Sequence, residues 1–471
     1  MKLHLVSDEE KSSDRPKLGL GYLASYLKKY YPEISLSLSF ASDNLLDDIR
    51  KEKPDLVGFS AMTHSFQRQV DKARKVKEQL RLPIIFGGVH LTLVPDDLPS
   101  WVDVAVISEG EETLTRLLKH FAQNGNLQAE KIPGLIYWLG TILKRTGSAC
   151  LIEPIDKIPS PDWDFLRIGE CGPGHIMTSR GCPFNCRFCE SRKFWFKYRL
   201  HSPQYVAGEI ETIYKRYGRK ELVIMDDLFF VDKARLESIK NLLNQKKLTQ
   251  KMRFEVIGRA DLFTEEIAKI LAGMNVFAIS FGMESGSERI LRYLKNDTVT
   301  LEQIRKANKL ARKYRMEVLG TFMIGSPGET EKDIRKTIDF IKELNLDQVG
   351  INVTTPFPGT QLWEEARKRG LVKNNQWDSR LWAMRDVNEK NISEKLLLTD
   401  LPKDRFLKLL KETFALQHFS HRRRRNQKLF EAFLKEKNLS NGIKFLLHCL
   451  KRPKEALYNL NHGYFKRYRL L

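Results

Sequence analysis

Apolar and polar positions alternate along the first 124 residues in a way that predicts short buried strands separated by amphipathic helices. KLHLV (2–6), ISLSLSF (34–40), DLVGFSA (55–61), PIIFGG (83–88) and VDVAVI (102–107) read as strands. LGLGYLASYLKKYY (18–31), the stretches near 43–52 and 66–80, and the stretch from Glu111 to about Ala122 carry helical spacing. Strands alternating with helices predict a parallel, doubly wound sheet, whose ligands sit at the carboxyl ends of the strands. Residues 125–174 read as a connector: a small hairpin around PGLIYWLG, then the proline-rich EPIDKIPSPDWDF. The alternation resumes at 175, with strand signals at 175–179, 221–227, 252–260, 277–285, 317–325 and 349–355. Six strands, most followed by helical stretches, predict a partial β/α barrel over 175–375, with chemistry at the strand carboxyl ends. Residues 376–471 carry helical signals only and form a third unit.

Composition narrows the class. Of 471 residues, 42% are hydrophobic and 30% charged, a globular mix that suggests two or three domains. No apolar run is long enough to span a bilayer. The first ten residues lack the pattern of a signal peptide, so a cytoplasmic enzyme is the expectation. The net charge of +21 is uneven, because residues 401–471 hold 18 Lys and Arg against 5 Asp and Glu. Such a surface is a solvated helical face or meets an anionic partner. Basic residues beside Phe and Leu in 418–438, and again in 465–471, suit peripheral contact with an anionic membrane face; nucleic acid is the weaker alternative.

Chemistry enters with the cysteines. Cys182, Cys186 and Cys189 fall within eight residues, whereas Cys150, Cys171 and Cys449 are scattered, which is not a disulfide framework. Three thiolates on one loop suit a 4Fe–4S cluster with one iron left open to a small molecule. Zinc would need a fourth ligand, for which Cys171 and His175 are the candidates.

Residues 178–370 resemble a radical S-adenosylmethionine (SAM) domain. The resemblance rests on GCPFNCRFC (181–189) with Phe188 before the third cysteine, MDD (225–227), GRAD (258–261), GMESGS (282–287), IGSPGET (324–330) and TPFPGT (355–360). It implies that the cysteines hold the cluster and that SAM, chelated to its open iron, is cleaved reductively to a 5′-deoxyadenosyl radical. It also implies SAM contacts from Phe188, Asp226, Asp227, Arg259, Glu284, Gly325, Pro327 and Gly328. Met225-Asp226-Asp227 departs from the family's usual Gly-Gly-Glu. Residues 1–124 are similar to the Rossmann-like cobalamin-binding domain that precedes many such barrels. This resemblance rests on PKLGLGYLASYL (16–27), DLVGFSAMT (55–63), FGGVHLTLVPDDL (86–98) and ISEGEETL (107–114). It implies cobalamin contacts from Ser60, Ala61, Met62, Thr63, Gly87, Gly88, Glu109, Gly110 and Glu111. The loop 7–19 has no histidine where many such domains carry a cobalt ligand, while His64 and His90 follow later strands.

The resemblance implies an α/β enzyme, a cobalamin-binding domain followed by a partial (β/α)6 radical SAM barrel and a helical region. It would methylate an unactivated carbon of a small molecule or lipid, or close a ring as the anaerobic magnesium-protoporphyrin ester cyclases do. A flavodoxin or ferredoxin would supply electrons. A tRNA methylthiotransferase would need three further cysteines upstream, and residues 1–149 contain none.

Overall fold

The computed structural model describes residues 1–8, 18–40, 44–168, 173–373, 376–384 and 387–434; the side chains of 425–434 are not among them. The loop 9–17, Cys171 and the basic segment 435–471 therefore lie outside the described residues, as do the side chains of Arg425, Phe430 and Phe433.

The N-terminal sheet comprises β1 (Lys2–Ser7), β2 (Ser35–Phe40), β3 (Leu56–Ser60), β4 (Ile84–Gly87), β5 (Val104–Val106), β6 (Leu135–Leu139) and β7 (Ile142–Arg145). Its order is β2-β1-β3-β4-β5-β6-β7. The first five strands are parallel, and their interiors are apolar because helices cover both faces. The hairpin β6–β7 adds antiparallel to β5, so it extends this sheet rather than linking two domains.

The second sheet follows β8 (His175–Ile176) with β11 (Glu221–Ile224), β12 (Arg253–Gly258), β13 (Val276–Glu284), β14 (Glu317–Ile324) and β15 (Gln348–Val353). Between β8 and β11 in sequence, β9 (Ser179–Arg180) and β10 (Arg199–Leu200) form a small ribbon flanking the cysteine loop. The order β8-β11-β12-β13-β14-β15 is parallel throughout, an open barrel wall. Its helices start on side-chain caps: Ser202, Asp232, Thr264, Thr300, Thr330 and Thr360 each accept from a backbone N–H in the first turn.

Past the barrel, the structure departs from the helical expectation. The described residues between 376 and 402 contain only turns and the short 3-10 segment Ser379–Leu381, held by aromatic packing of Trp377 and Trp382 on Phe357. One long helix, Lys403–Leu434, then runs along the open edge of β15. Gln417 Oε1 accepts from Ile351 N at 2.6 Å and Ser420 Oγ from Val349 N at 3.1 Å, which satisfies an edge that would otherwise be open. Arg423 donates to Leu346 O at 2.8 Å, and Arg424 pairs with Glu317 at 2.6 Å. Two of the four consecutive arginines are thus tied to the barrel.

Candidate functional site

The cysteine loop leaves β9 through Gly181, whose φ of +87° only glycine adopts readily. A Cβ there would lie 2.8 Å from Lys197 O, so the loop is packed directly on the segment that returns after it. Arg187 N donates to Leu294 O (2.9 Å) and Leu362 N to Arg187 O (3.2 Å), anchoring the loop to two barrel helices. Cys182, Cys186 and Cys189 are free, half-buried thiols. Burial pushes the Cys182 thiol up and the Cys189 thiol up to about 12, a cost that soft metal cations bound to the thiolates would remove. Among the described residues no three His, Cys, Asp or Glu side chains are gathered closely enough to hold a single metal ion. His175, weighed as a fourth zinc ligand, lines a cavity at the domain junction. Three thiolates on one loop remain a donor set that fits an iron–sulfur cluster.

Around the loop, two buried cations stack on its two phenylalanines. Arg259, just past β12, lies 3.6 Å over the Phe184 ring and donates to Cys186 Sγ at 3.3 Å; Asp261 and Thr298 hold its other nitrogens. Lys295 Nζ lies 5.4 Å from the centre of the Phe188 ring and pairs with Glu284 at 2.8 Å. Glu284 ends β13 at a break in register and holds a left-handed φ of +57°, an uncommon conformation for a glutamate. Lys295 was missed from the sequence; its signal is a lysine on the same buried helix face as Ile290, Leu291 and Leu294.

The remaining SAM candidates divide by environment. Asp226 is buried and accepts from the backbone N–H and hydroxyl of both Thr178 and Ser179, tying β11 to the base of the loop. Asp227 accepts from Ser191 Oγ at 2.5 Å and raises the thiols of Cys182 and Cys189 through its charge. Gly325, at φ +90°, packs against Phe406 of the long helix, where a Cβ would approach to 2.8 Å. Pro327 is buried, and Gly328 N donates to Asp400 Oδ2 at 2.8 Å. The glycine turn is therefore braced by residues beyond the barrel.

A cavity of about 490 Å³ opens between the two domains. Its floor is the carboxyl ends of the N-terminal strands; its roof is Met177, Arg180, Trp195 and Met225 of the barrel. Ser60, Met62, Gly87, Gly88, Glu109, Gly110 and Glu111 line it, whereas Ala61 and Thr63 are buried and absent from its wall. A Cβ on Gly87 would meet only Val106 O at 3.6 Å, so glycine leaves space for a ligand there. Gly88 differs: at φ +108°, its Cβ would strike Ala61 O at 2.5 Å, so the backbone itself requires glycine. Apolar walls and a glycine floor facing the barrel fit a broad, flat cofactor. Neither His64 nor His90 lines it. His64 stacks on Trp382 at 4.9 Å, and buried His90 meets Asp97 at 2.9 Å.

The two carboxylates on that wall have partners. Glu111 pairs with Arg180 at 2.5 Å; Glu109 pairs with Arg180 at 3.2 Å and accepts from Arg199 Nη1 at 3.0 Å. All four side chains are buried. Burial alone would lower the pKa of Arg180, but Glu111 and Glu109 raise it above the ordinary value. Its guanidinium also lies 5.2 Å from the Tyr22 ring centre and 5.3 Å from that of Trp195. Arg180 immediately precedes the cysteine loop, so these pairs join the two domains beside the cluster site.

A cysteine loop at the mouth of a parallel barrel, flanked by Arg180 and Trp195 that roof a cavity on a doubly wound domain, defines an enzyme with room for two cofactors. Matches to known families specify which. Residues 176–341 match the radical SAM superfamily and residues 10–118 the B12 binding domain. An uncharacterized methyltransferase of Pyrococcus horikoshii is 33% identical over 377 residues, 77% of this chain and 81% of that protein. An anaerobic magnesium-protoporphyrin IX monomethyl ester cyclase of Cereibacter sphaeroides is 27% identical, over 75% of this chain and 60% of that one. The structure of OxsB, a cobalamin-dependent SAM radical enzyme, superposes with a TM-score of 0.71 at 18% identity, covering 98% of this chain and 72% of that one. The chain belongs to the radical SAM enzymes that carry a B12 binding domain, and its cofactors are a 4Fe–4S cluster, SAM and cobalamin.

Proposed function

We propose that this enzyme transfers a methyl group from SAM, by way of cobalamin, to an unactivated carbon of a small molecule or lipid. The observation that carries this reading is the shared cavity, because it lets a ligand on the N-terminal strand ends face the mouth of the barrel. When bound, the groups supply reductive cleavage of SAM and delivery of a methyl group. In this reading Cys182, Cys186 and Cys189 hold the cluster. Asp227 would accept from the SAM amino group, Glu284 together with Lys295 would hold its amino-acid end, and the turn 325–328 would receive adenine. Arg259 and Lys295 offset negative charge at Cys186. Met177, Trp195 and Met225 exclude water above the cavity.

Ring closure is the second reading, supported by the relative named a cyclase. Incubation with SAM labelled in its methyl group separates the two: methylation places label in the substrate, and ring closure leaves the product unlabelled. No described helix is long and apolar enough to cross a membrane. The free thiols suit a reducing compartment, the cytoplasm in our reading. Membrane docking through the arginine run gains no support from Arg423 and Arg424, which are engaged with the barrel.

A further inference from the structure

We propose that the short turn after the cysteine loop, centred on Phe196 and flanked by Arg192, Lys193 and Lys197, is the docking surface for a small acidic electron-carrier protein. The proposal rests on the cluster reading above and adds where the electron enters.

Three independent observations converge there. The first is position. The helix Ser191–Trp195 begins two residues after Cys189, and its far end folds back onto the start of the loop. A Cβ on Gly181 would lie 2.8 Å from Lys197 O and 3.1 Å from Trp195 Cβ. The turn thus rests on the residue next to Cys182, so a protein seated on it approaches the cluster site through a single layer of chain.

The second is exposure held against a cost. Phe196 is 61% exposed, and among the exposed large apolar side chains of the described residues, which also include Leu139, Ile142, Val231 and Phe419, it alone adjoins the cysteine loop in sequence. It sits at φ +56°, where a bulky side chain is rarely found. Phe196 N donates to Arg192 O at 3.1 Å and Lys197 N to Trp195 O at 2.5 Å, which fixes that conformation. Strain of this kind concentrates where function needs a particular side-chain direction. Here it turns an aromatic ring outward.

The third is charge. From 190 to 198 the chain carries Arg192, Lys193 and Lys197 against one acid, Glu190. Arg192, Lys193 and Lys197 are exposed around Phe196. Lys197 pairs with Glu153 at 2.6 Å, but both side chains are about half exposed, so the pair is weak and readily exchanged. An aromatic centre with a basic rim fits a partner whose own redox group lies in an acidic surface; opposite charge steers encounter, and the aromatic ring supplies the dry contact. Flavodoxins and ferredoxins are electron carriers of that kind. The step is a one-electron transfer: the carrier is oxidised by one electron, the cluster is reduced by one, and no bond or proton moves at this surface.

The test compares two reductants on reconstituted holoenzyme with SAM. Reduced flavodoxin is the protein donor, and dithionite needs no docking surface. The variants are Lys193→Glu with Lys197→Glu, and separately Phe196→Ser. Cluster reduction by flavodoxin, followed by absorbance, should slow about tenfold or more in the charge-reversed variant and depend on salt. Dithionite-driven formation of 5′-deoxyadenosine should stay within about twofold of the parent, as these side chains lie outside the cofactor sites. In parallel, carbodiimide cross-linking of flavodoxin to the unloaded chain should join Lys193 or Lys197 to flavodoxin carboxylates. Equal slowing with both reductants, no slowing with flavodoxin, or cross-links confined to other lysines would overturn the proposal. If dithionite gives no cleavage with the parent protein, the cluster reading fails, while the cross-linking arm still decides the docking surface.

Discussion

The floor of the shared cavity and the barrel mouth around the cysteine loop are built on opposite principles. The floor, at the carboxyl ends of β1, β3, β4 and β5, is apolar side chain and bare glycine backbone, and its two carboxylates are committed to Arg180 and Arg199. The barrel mouth is held by charge: Arg259 on Phe184, Lys295 on Phe188 and Glu284, and Asp226 clasped by Thr178 and Ser179. A large neutral surface is recognised by shape and space, whereas thiolates and a charged cosubstrate need fixed counter-charges. The junction belongs to both: the Arg180 pairs put the cost of burying charge at the place where the halves meet.

Breaking the barrel side should have the largest effect. Replacing Cys182, Cys186 and Cys189 together with Ala should abolish both the roughly four bound irons of the reconstituted protein and 5′-deoxyadenosine formation, while cobalamin still binds. Iron analysis, chromatography of the nucleoside and a cobalamin titration check the three parts. A persisting 4Fe–4S spectrum in this variant would sink the assignment.

Next comes the junction. Arg180→Ala leaves Glu109 and Glu111 buried with fewer counter-charges and should cost about 3–5 kcal/mol in denaturant unfolding. A loss below about 1 kcal/mol, the range of exposed pairs, would mean the pairs are solvated in solution.

The floor then separates into two glycines. Gly88→Ala should cost about 1–3 kcal/mol, because the conformation and the Ala61 carbonyl both oppose a side chain. Gly87→Val should leave the unfolding midpoint close to the parent's and weaken cobalamin binding, since its Cβ points into free space. Equal effects of the two on stability would erase the distinction between a backbone glycine and a ligand glycine.

An effect that appears only with changing pH concerns Glu209, buried behind the junction. Burial pushes its carboxyl up to about 8, helped by the charge of Asp226. Its folded value exceeds its unfolded one, so the folded state holds a proton that the unfolded state has lost between about pH 4.5 and 8. Stability should fall with rising pH across that window and level off above it. Glu209→Gln should flatten the slope, leaving the variant close to the parent at pH 5 and more stable at pH 8.5. Parallel pH profiles would show that Glu209 is charged and solvated.

Most strands and the cysteine loop were legible because their signals are local: alternation along a few residues, and three thiols within eight positions. Glu109 and Glu111 stand out in ISEGEETL as candidate cofactor contacts, but not as ion-pair partners. Arg180 and Arg199 lie 69 and 90 residues away, and no periodicity joins them. Residues 376–402 read as helical, yet stacking of Trp377 and Trp382 on Phe357 and His64 fixes an irregular path over the described residues there. The brace on the glycine turn was hidden for the same reason, since Asp400 lies 72 residues beyond Gly328.

The central claim is that the cavity between the domains holds cobalamin above the N-terminal strand ends without a cobalt ligand from the protein. Among the residues that line it the one histidine is His175, buried in β8 on the barrel side, and the loop 7–19 contains none. The most direct measurement is electron paramagnetic resonance of cob(II)alamin bound to the purified protein, with Gly87→Val as the control for the site. The account predicts a bound cobalamin whose cobalt lines carry no splitting from a protein nitrogen, so that the spectrum is the same in His175→Ala, and weakened binding in Gly87→Val. Nitrogen splitting that disappears on His175→Ala, or binding that Gly87→Val leaves untouched, would contradict it.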